Sequence, residues 1–296
     1  MKIVDISLDN CYLHLYHGFL EIKFADREAK RTPVDDLDCL IVSGNAITYS
    51  HSLIQRLCQE NIPLIICGKN YLPCGMLLNL QGNYEQMGRL HEQIAMSKPL
   101  HKRLWQKIIK LKITNQQKVL EFYGMQGNDF GMLIKRVKSG DPENVEGIAA
   151  RKYWQRLFGK NFRRNFEQPG TNALLNFGYA ILRSTLCRYV VATGLNPALG
   201  VHHHNKLNPW CLADDLIEPY RPFIDQKVMQ LVLDGNNAVT TITKRELAGS
   251  FEIKYDLENC SSPMHLCIKN TVISLWNSIK EKENLLEYPD FDPERI

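Results

Sequence analysis

The sequence predicts an α+β protein, a small N-terminal β-domain followed by a larger all-helical domain. Three observations carry this. Residues 1 to about 80 are rich in β-branched residues with period-two alternation. From about residue 101 onward apolar positions recur at helical spacing, and Leu174–Ala192 is apolar nearly all round, as a central buried helix should be. The expected boundaries are 1–85 for the β-domain, 86–100 for a linker and 101–296 for the helical domain.

In chain order, Lys2–Ile6 alternates as a strand. Tyr12–Leu15 and Phe19–Phe24 flank a His17-Gly18 turn and read as a hairpin. Cys39–Val42 and Pro63–Cys67 are short apolar runs that suit buried strands. Between them Leu53, Ile54 and Leu57 have helical spacing, with Ser50 as cap and Asn61 as stop. A strand near Met76–Leu80 closes the domain. Further on, Leu104, Trp105, Ile108, Ile109 and Ile113 mark a helix across His101–Tyr123. Gly140-Asp141-Pro142 is a turn, with Pro142 in the first turn of a helix from Glu143 to Phe158. Asp234-Gly235-Asn236-Asn237 ends another helix. Ser262-Pro263 starts the last long one, through Lys280.

Bulk properties exclude several classes. The 296 residues, 44% hydrophobic and 23% charged, suit a folded protein of two domains. No run of 18 apolar residues exists, so neither a spanning helix nor a membrane partner is expected. Asp5 falls inside what would be the apolar region of a signal peptide, and a cytoplasmic location follows as the expectation. The nine cysteines include no C-x-x-C pair, which fits free buried thiols better than disulfides or a zinc knuckle. A net charge of +4 is compatible with nucleic acid without demanding it.

Three places in the helical part concentrate chemistry. Glu146 stands in Val145–Trp154 among Gly147, Ala149 and Ala150, small residues that let a backbone or a DNA strand come close. A glutamate that merely favours a helix N-terminus is the plainer alternative. His202, His203 and His204 follow Gly200-Val201 in a loop, either as a solvated polar stretch or as metal ligands. In Leu212–Pro222, either Asp214 and Glu218, four apart, or Asp215 and Glu218, three apart, would project carboxylates from one helix face. They repel one another unless a cation or Arg221 relieves them. Together these places offer carboxylate, imidazole and carboxylate from separate elements, a set suited to Mg²⁺ or Mn²⁺. Such an ion neutralises a phosphodiester and activates the attacking hydroxyl.

The charge around them is one-sided. Arg151 to Arg164 holds Arg151, Lys152, Arg156, Lys160, Arg163 and Arg164 with no acid, interleaved with Tyr153, Trp154, Phe158 and Phe162. His101–Lys118 adds Lys102, Arg103, Lys107, Lys110, Lys112 and Lys118, again without an acid. Stripes of this kind release counterions from phosphates, so DNA is the expected partner.

At this point the chain resembles the CRISPR-associated integrase family, the first of the two universal adaptation proteins. The resemblance spans essentially the whole length. It rests on E-G-x-A-A-R-x-Y-[FW] at Glu146–Trp154, N-x-x-L-N-x-G-Y-x-[IL]-L at Asn172–Leu182, and G-[IV]-H-H…N-L-A-x-D-L-[IM]-E-P-[FY]-R-P at Gly200–Pro222. The H-H-x-N form and compact length look most like members from systems with a single large RNA-guided effector nuclease. Cys211 stands where the family usually has asparagine, and Ile217 where methionine is frequent.

The resemblance implies a metal triad of Glu146, His203 and Glu218, which would also be the catalytic residues. The fifteen-residue interval to the final acid selects His203. Asp215 is then an auxiliary acid, and His202 and His204 are flankers that touch DNA. It further implies that the helical domain is catalytic, that homodimers form through the β-domains, and that these flank a small ferredoxin-like second adaptation protein. The implied reaction is transesterification, in which the 3′-hydroxyl of a captured double-stranded fragment attacks a phosphodiester at the repeat border. Two rival readings use the same residues: a general metal-dependent DNA-repair nuclease, and a DNA-binding scaffold without catalysis.

Overall fold

Alternating residues near the N-terminus build two four-stranded sheets. The computed structural model describes residues 2–68, 73–77, 79, 86–257 and 260–295, and the chain divides into two units, Met1–Tyr84 and Glu85–Ile296. The first unit runs β1 (Lys2–Ile6), β2 (Tyr12–Tyr16), β3 (Phe19–Lys23), β4 (Lys30–Pro33), β5 (Leu37–Val42), β6 (Thr48–Tyr49), α1 (His51–Gln59), β7 (Leu64–Cys67) and β8 (Pro73–Leu77). One sheet has the order β1-β5-β7-β8, the other β4-β3-β2-β6. In the β2–β3 hairpin Tyr16 pairs with Phe19, and both loop residues have positive φ, 46° at His17 and 82° at Gly18. That is the two-residue turn whose twist matches the strands.

Leu13, Leu20 and Ile22 from one sheet, Leu40, Val42 and Leu64 from the other, and Leu53 and Leu57 of α1 share one core. The Ser50 hydroxyl accepts the Leu53 N–H at 3.2 Å, and Asn61 turns left-handed after the helix at φ 55°. β4 and β6 escape the sequence pattern. β4 reads Lys-Arg-Thr-Pro on a sheet edge, where polar residues and proline belong. The strand expected near Met76–Leu80 lies at Pro73–Leu77, and its positions 78 and 80 fall outside the described residues.

The second unit runs α2 (Gln86–Ile94), α3 (Lys98–Phe122), α4 (Phe130–Arg136), α5 (Val145–Leu157), α6 (Thr171–Ala192), α7 (Cys211–Leu216), α8 (Arg221–Leu233), α9 (Thr241–Gly249), β9 (Lys254–Leu257), β10 (Cys260–Pro263) and α10 (Met264–Glu281). Two expectations are corrected here. Residues 86–94 and 98–100 are helical rather than a linker. Gln93 of α2 bonds the carbonyls of Asn196 and Leu199, each at 3.0 Å, and Ser97 caps α3. A glutamine buried this way is invisible to hydrophobic periodicity. The unit is also not all-helical, because β9 and β10 form a hairpin with Tyr255 and Leu257 turned inward. Four residues are too few to register a period.

α5 starts at Val145, two residues after the expected Glu143. The Asp141 carboxylate accepts the N–H groups of Val145 and Glu146, each at 3.0 Å, and left-handed Asn144 accepts that of Gly147. Pro142 therefore precedes the helix. α6 is the buried centre, with Leu174, Leu175, Phe177, Ile181, Leu182 and Leu186 all sequestered. A Cβ at Gly178 would collide with Ile224 of α8, so glycine sets how closely these two helices pack. Among the described residues no helix is long and apolar enough to cross a membrane.

Candidate active site

Burial on α3 places the first unexpected residue. Leu104, Trp105, Ile108, Ile109 and Ile113 pack inward as predicted, and Lys112 is carried inside with them, its side chain only 8% exposed. Its ammonium donates to Glu146 Oε1 at 2.6 Å and lies 2.6 Å from Glu218 Oε2. Glu146 comes from the first turn of α5; Glu218 comes from the 3₁₀ turn Glu218–Tyr220 that joins α7 to α8. That turn is pinned to α3 by Asn115 Nδ2, which donates to the Pro219 carbonyl at 2.8 Å. Two carboxylates far apart in sequence thus meet at one cation. Lys112 had been counted in the solvent-facing basic stripe, and that expectation is corrected: its charge points at acids, not at solvent.

The electrostatics follow from this crowding. Burial pushes the Lys112 ammonium toward its neutral form, but the charges of Glu218 and Glu146 more than reverse that, so it stays protonated. Burial likewise favours the neutral form of Glu218, here by raising its pKa. Arg221, whose Nε donates to Glu218 Oε1 at 2.9 Å, and Lys112 hold the carboxylate ionised well below its ordinary value. Sequence reading had named Arg221 as the residue able to relieve the acids. Glu218 Oε2 is buried and meets the Lys112 ammonium at 2.6 Å.

The three acids of this stretch have three duties. Asp214 takes a two-pronged contact from Arg183, at 2.6 and 2.8 Å, plus the Asn208 amide at 2.6 Å. Asp215, fully buried, organises the histidine loop. It accepts the backbone N–H of His202 at 2.7 Å and that of His203 at 3.3 Å, and meets His203 Nδ1 at 2.5 Å. A Cβ at Gly200 would strike the His203 carbonyl, so glycine is what lets the loop fold back. Only Glu218 reaches Glu146's cation.

His203 keeps Nε2 as its outward-facing donor atom, because Nδ1 is engaged by Asp215. That is how a second carboxylate orients a ligating imidazole. The Asp215 hydrogen bond raises the His203 pKa against its partial burial, with Glu218 and Glu146 adding to the rise. His202 stacks flat on Trp105, ring centroids 4.2 Å apart, and burial lowers its pKa. His204 meets His101 edge-on, and His101 Nδ1 bonds the Val201 carbonyl at 2.8 Å. As the side chains stand, no group of three or more His, Cys, Asp or Glu among the described residues is gathered closely enough to hold a metal ion. Between Glu146 and Glu218 the Lys112 ammonium occupies the meeting point.

A cavity of about 200 Å³ opens beside Glu218, lined among others by Lys112, Gln116, Trp154, Arg164, Tyr179 and Arg221. Arg164 donates to Asn172 Oδ1 at 2.8 Å and Asn176 Oδ1 at 2.6 Å and lies over the Tyr179 ring. Tyr179 in turn donates to Asp225. Here burial pushes Asp225 up to about 7, against the hydrogen bond from Tyr179 and the charges of Arg221 and Arg164. The native state therefore holds this proton more tightly than the unfolded chain, whose carboxyl titrates near 3.8. The stabilisation is complete below that lower value and is lost as pH rises through about 7. Asp225→Asn stays neutral throughout. Its stability relative to the parent is expected to improve by up to about 4 kcal/mol between pH 4 and pH 8 in urea unfolding; a difference that stays flat across that range refutes the burial argument.

The basic stripe on α5 divides. Lys152 Nζ meets Asp129 at 2.8 Å and Arg156 meets the same carboxylate at 2.5 Å, so Asp129 answers both charges. Arg164 is spent inside the cavity network. Arg151, Lys160 and Arg163 are exposed. Trp154, Phe158 and Phe162 pack as one aromatic cluster, with Trp154 stacked on Phe158 at 6.0 Å. Nothing in the sequence singles out Asp129 or Asn115, and Lys112 reads there only as one basic residue of a stripe. Asn115 and Lys112 sit beside apolar positions of α3 and looked like its polar face; Asp129 lies in a loop with no pattern around it.

A CRISPR-associated endonuclease Cas1 of Neisseria meningitidis is 33% identical over 274 residues, covering 90% of this chain and 89% of its own. A second from Francisella tularensis is 27% identical, covering 77% and 78%. Among solved structures, a casposase bound to integration product superposes with a TM-score of 0.85 at 22% identity, over 100% of this chain and 96% of that one. A Cas1 protein from Thermotoga maritima gives 0.78 at 16% identity, over 98% and 100%. These two likenesses establish the fold, β-rich unit and helical unit together. The family model described as CRISPR associated protein Cas1 matches residues 5–251, and the chain belongs to that family.

Proposed function

We propose that this chain is a metal-dependent DNA endonuclease and integrase of CRISPR adaptation, which joins the 3′-hydroxyl ends of short DNA fragments into the repeat array. The observation that carries this reading is the meeting of Glu146 and Glu218 on one cation, 2.6 Å from each, beside a histidine whose other nitrogen is fixed by a buried acid. The Lys112 ammonium is a stand-in ion: the carboxylate oxygens that hold its positive charge are of the type that suits Mg²⁺ or Mn²⁺. Glu146, Glu218 and Nε2 of His203 would hold that metal. Bound there, it supplies neutralisation of a phosphodiester and polarisation of the attacking hydroxyl.

The chain's own residues do the rest. Asp215 keeps the His203 ring in one tautomer and one orientation. Arg221 fixes one oxygen of Glu218 and leaves the other for the cation. In the joining reaction a P–O bond forms to the fragment's 3′-oxygen as the P–O bond to the repeat strand's 3′-oxygen breaks; with water as nucleophile the same site cuts DNA. The nucleophile is delivered by the fragment, so holding both DNA ends in line contributes much of the rate. Arg151, Lys160 and Arg163, with His202 and His204 at the loop, are the groups placed to meet phosphates. Lys152, Arg156 and Arg164 act through the protein contacts that Asp129, Asn172 and Asn176 give them.

Partners follow the relatives' chemistry. One structural neighbour is a casposase bound to its integration product, another a Cas6-RT-Cas1–Cas2 complex. Double-stranded DNA, a second copy of this chain through the β-domain, and a small ferredoxin-like second adaptation protein are the proposed assembly. The decisive experiment offers the protein and that partner a supercoiled repeat-bearing plasmid and a short duplex with free 3′-hydroxyls. Covalent joint products that vanish with dideoxy 3′-ends are expected. Cutting without joining would assign the site to a repair-type nuclease, and DNA binding without either would make it a scaffold.

A further inference from the structure

The ion pairing of Lys112 goes further than filling a gap. We propose that Lys112 is the resident counter-cation of the Glu146–Glu218 pair, holding the two carboxylates together until a divalent ion displaces its ammonium into the adjoining cavity. This rests on the metal reading of the site given above.

Four observations carry it. Lys112 is on the buried face of α3, between Ile108, Ile109 and Ile113, where an ammonium survives only if acids meet it. Its two contacts are equal, 2.6 Å each, to oxygens from α5 and from the turn before α8. Both contacts are ion pairs to carboxylate oxygens, so an incoming cation can take them over with the charge balance of the two acids kept. Lys112 also lines the cavity of about 200 Å³ beside Glu218, which gives a long, flexible side chain somewhere to go. A divalent ion and an ammonium cannot share one meeting point, since like charges at contact repel strongly in a buried site. The lysine therefore shapes the site in advance and at the same time weakens metal uptake.

The test reads metal binding, not activity. Free Mn²⁺ is followed by its electron paramagnetic resonance signal as it is titrated into the full-length protein. Lys112→Met, which keeps the apolar stem and removes the charge, is expected to bind Mn²⁺ at least about tenfold more tightly than the parent. Unchanged or weaker binding by a Lys112→Met protein with native circular dichroism overturns the proposal. Should that variant fail to fold, the parent alone decides. Saturating Mn²⁺ is expected to raise acetic-anhydride labelling of Lys112 several-fold relative to Lys110, read by mass spectrometry, and unaltered labelling overturns displacement. Parent protein that takes up no Mn²⁺ at all overturns the metal reading itself, whereas uptake with unaltered Lys112 labelling leaves that reading standing and removes only the counter-cation role.

Discussion

Glu146→Gln and Glu218→Gln are each expected to lower the rate of joint-product formation by about 10³-fold while DNA affinity stays within about threefold of the parent. Glutamine keeps the shape of the side chain and one acceptor oxygen, which at 146 serves Lys112 and at 218 serves either Lys112 or Arg221. What is lost is one negative charge from a site whose task is to hold a divalent cation. The loss of about 4 kcal/mol of transition-state stabilisation is the size expected when a charged ligand is removed from a catalytic ion. DNA affinity should hold because phosphates are met by exposed arginine and lysine, and removing an acid near them does not weaken that contact. Cutting of DNA by water should fall in parallel, since one site serves both reactions. Joining that survives above a tenth of the parent rate in either variant would dismiss the carboxylate pair as the reactive centre. DNA binding lost to the same extent as joining would instead make the pair a structural staple.

How far this site was legible in the sequence depends on what kind of signal each residue leaves. Glu146, His203 and Glu218 lie in motifs with unusual residues at fixed spacing, and the resemblance to a known family made them readable. The division of labour among Asp214, Asp215 and Glu218 was not. Helix spacing puts them near one face, but α7 ends at Leu216 and a 3₁₀ turn re-aims Glu218, a change of pitch that composition does not announce. Lys112 was hidden for a different reason. A lysine every few residues on a helix looks like a solvated stripe, and only the three-dimensional meeting of α3, α5 and the α7–α8 turn shows that one of them faces inward. The β-rich unit was legible where strands alternate over five or more residues, as in β2 and β3. It was illegible where they are short or at an edge, as in β4 and β6. Helix ends were displaced wherever a side chain out of register took the cap, as Asp141 does before α5.

Arg221→Leu is expected to destabilise the protein by about 3–5 kcal/mol, measured by urea unfolding of the full-length chain at neutral pH. Arg221 donates to Glu218 at 2.9 Å and lies over the Tyr179 ring at 4.5 Å, and Glu218 is itself only 9% exposed. Removing the guanidinium leaves that carboxylate with Lys112 alone, which Glu146 shares. The cost is therefore that of an under-compensated buried charge, not of a surface pair, for which about 0–1 kcal/mol would be the measure. If the penalty comes from the stranded carboxylate, then Glu218→Gln in the Arg221→Leu background should recover part of it, with a coupling of about 1–3 kcal/mol between the two positions. If it comes from lost stacking on Tyr179, the two changes should simply add. A loss below about 1 kcal/mol for Arg221→Leu alone would mean that Glu218 does not depend on Arg221 for its charge. The geometry that leaves Oε2 to a cation would then need another support.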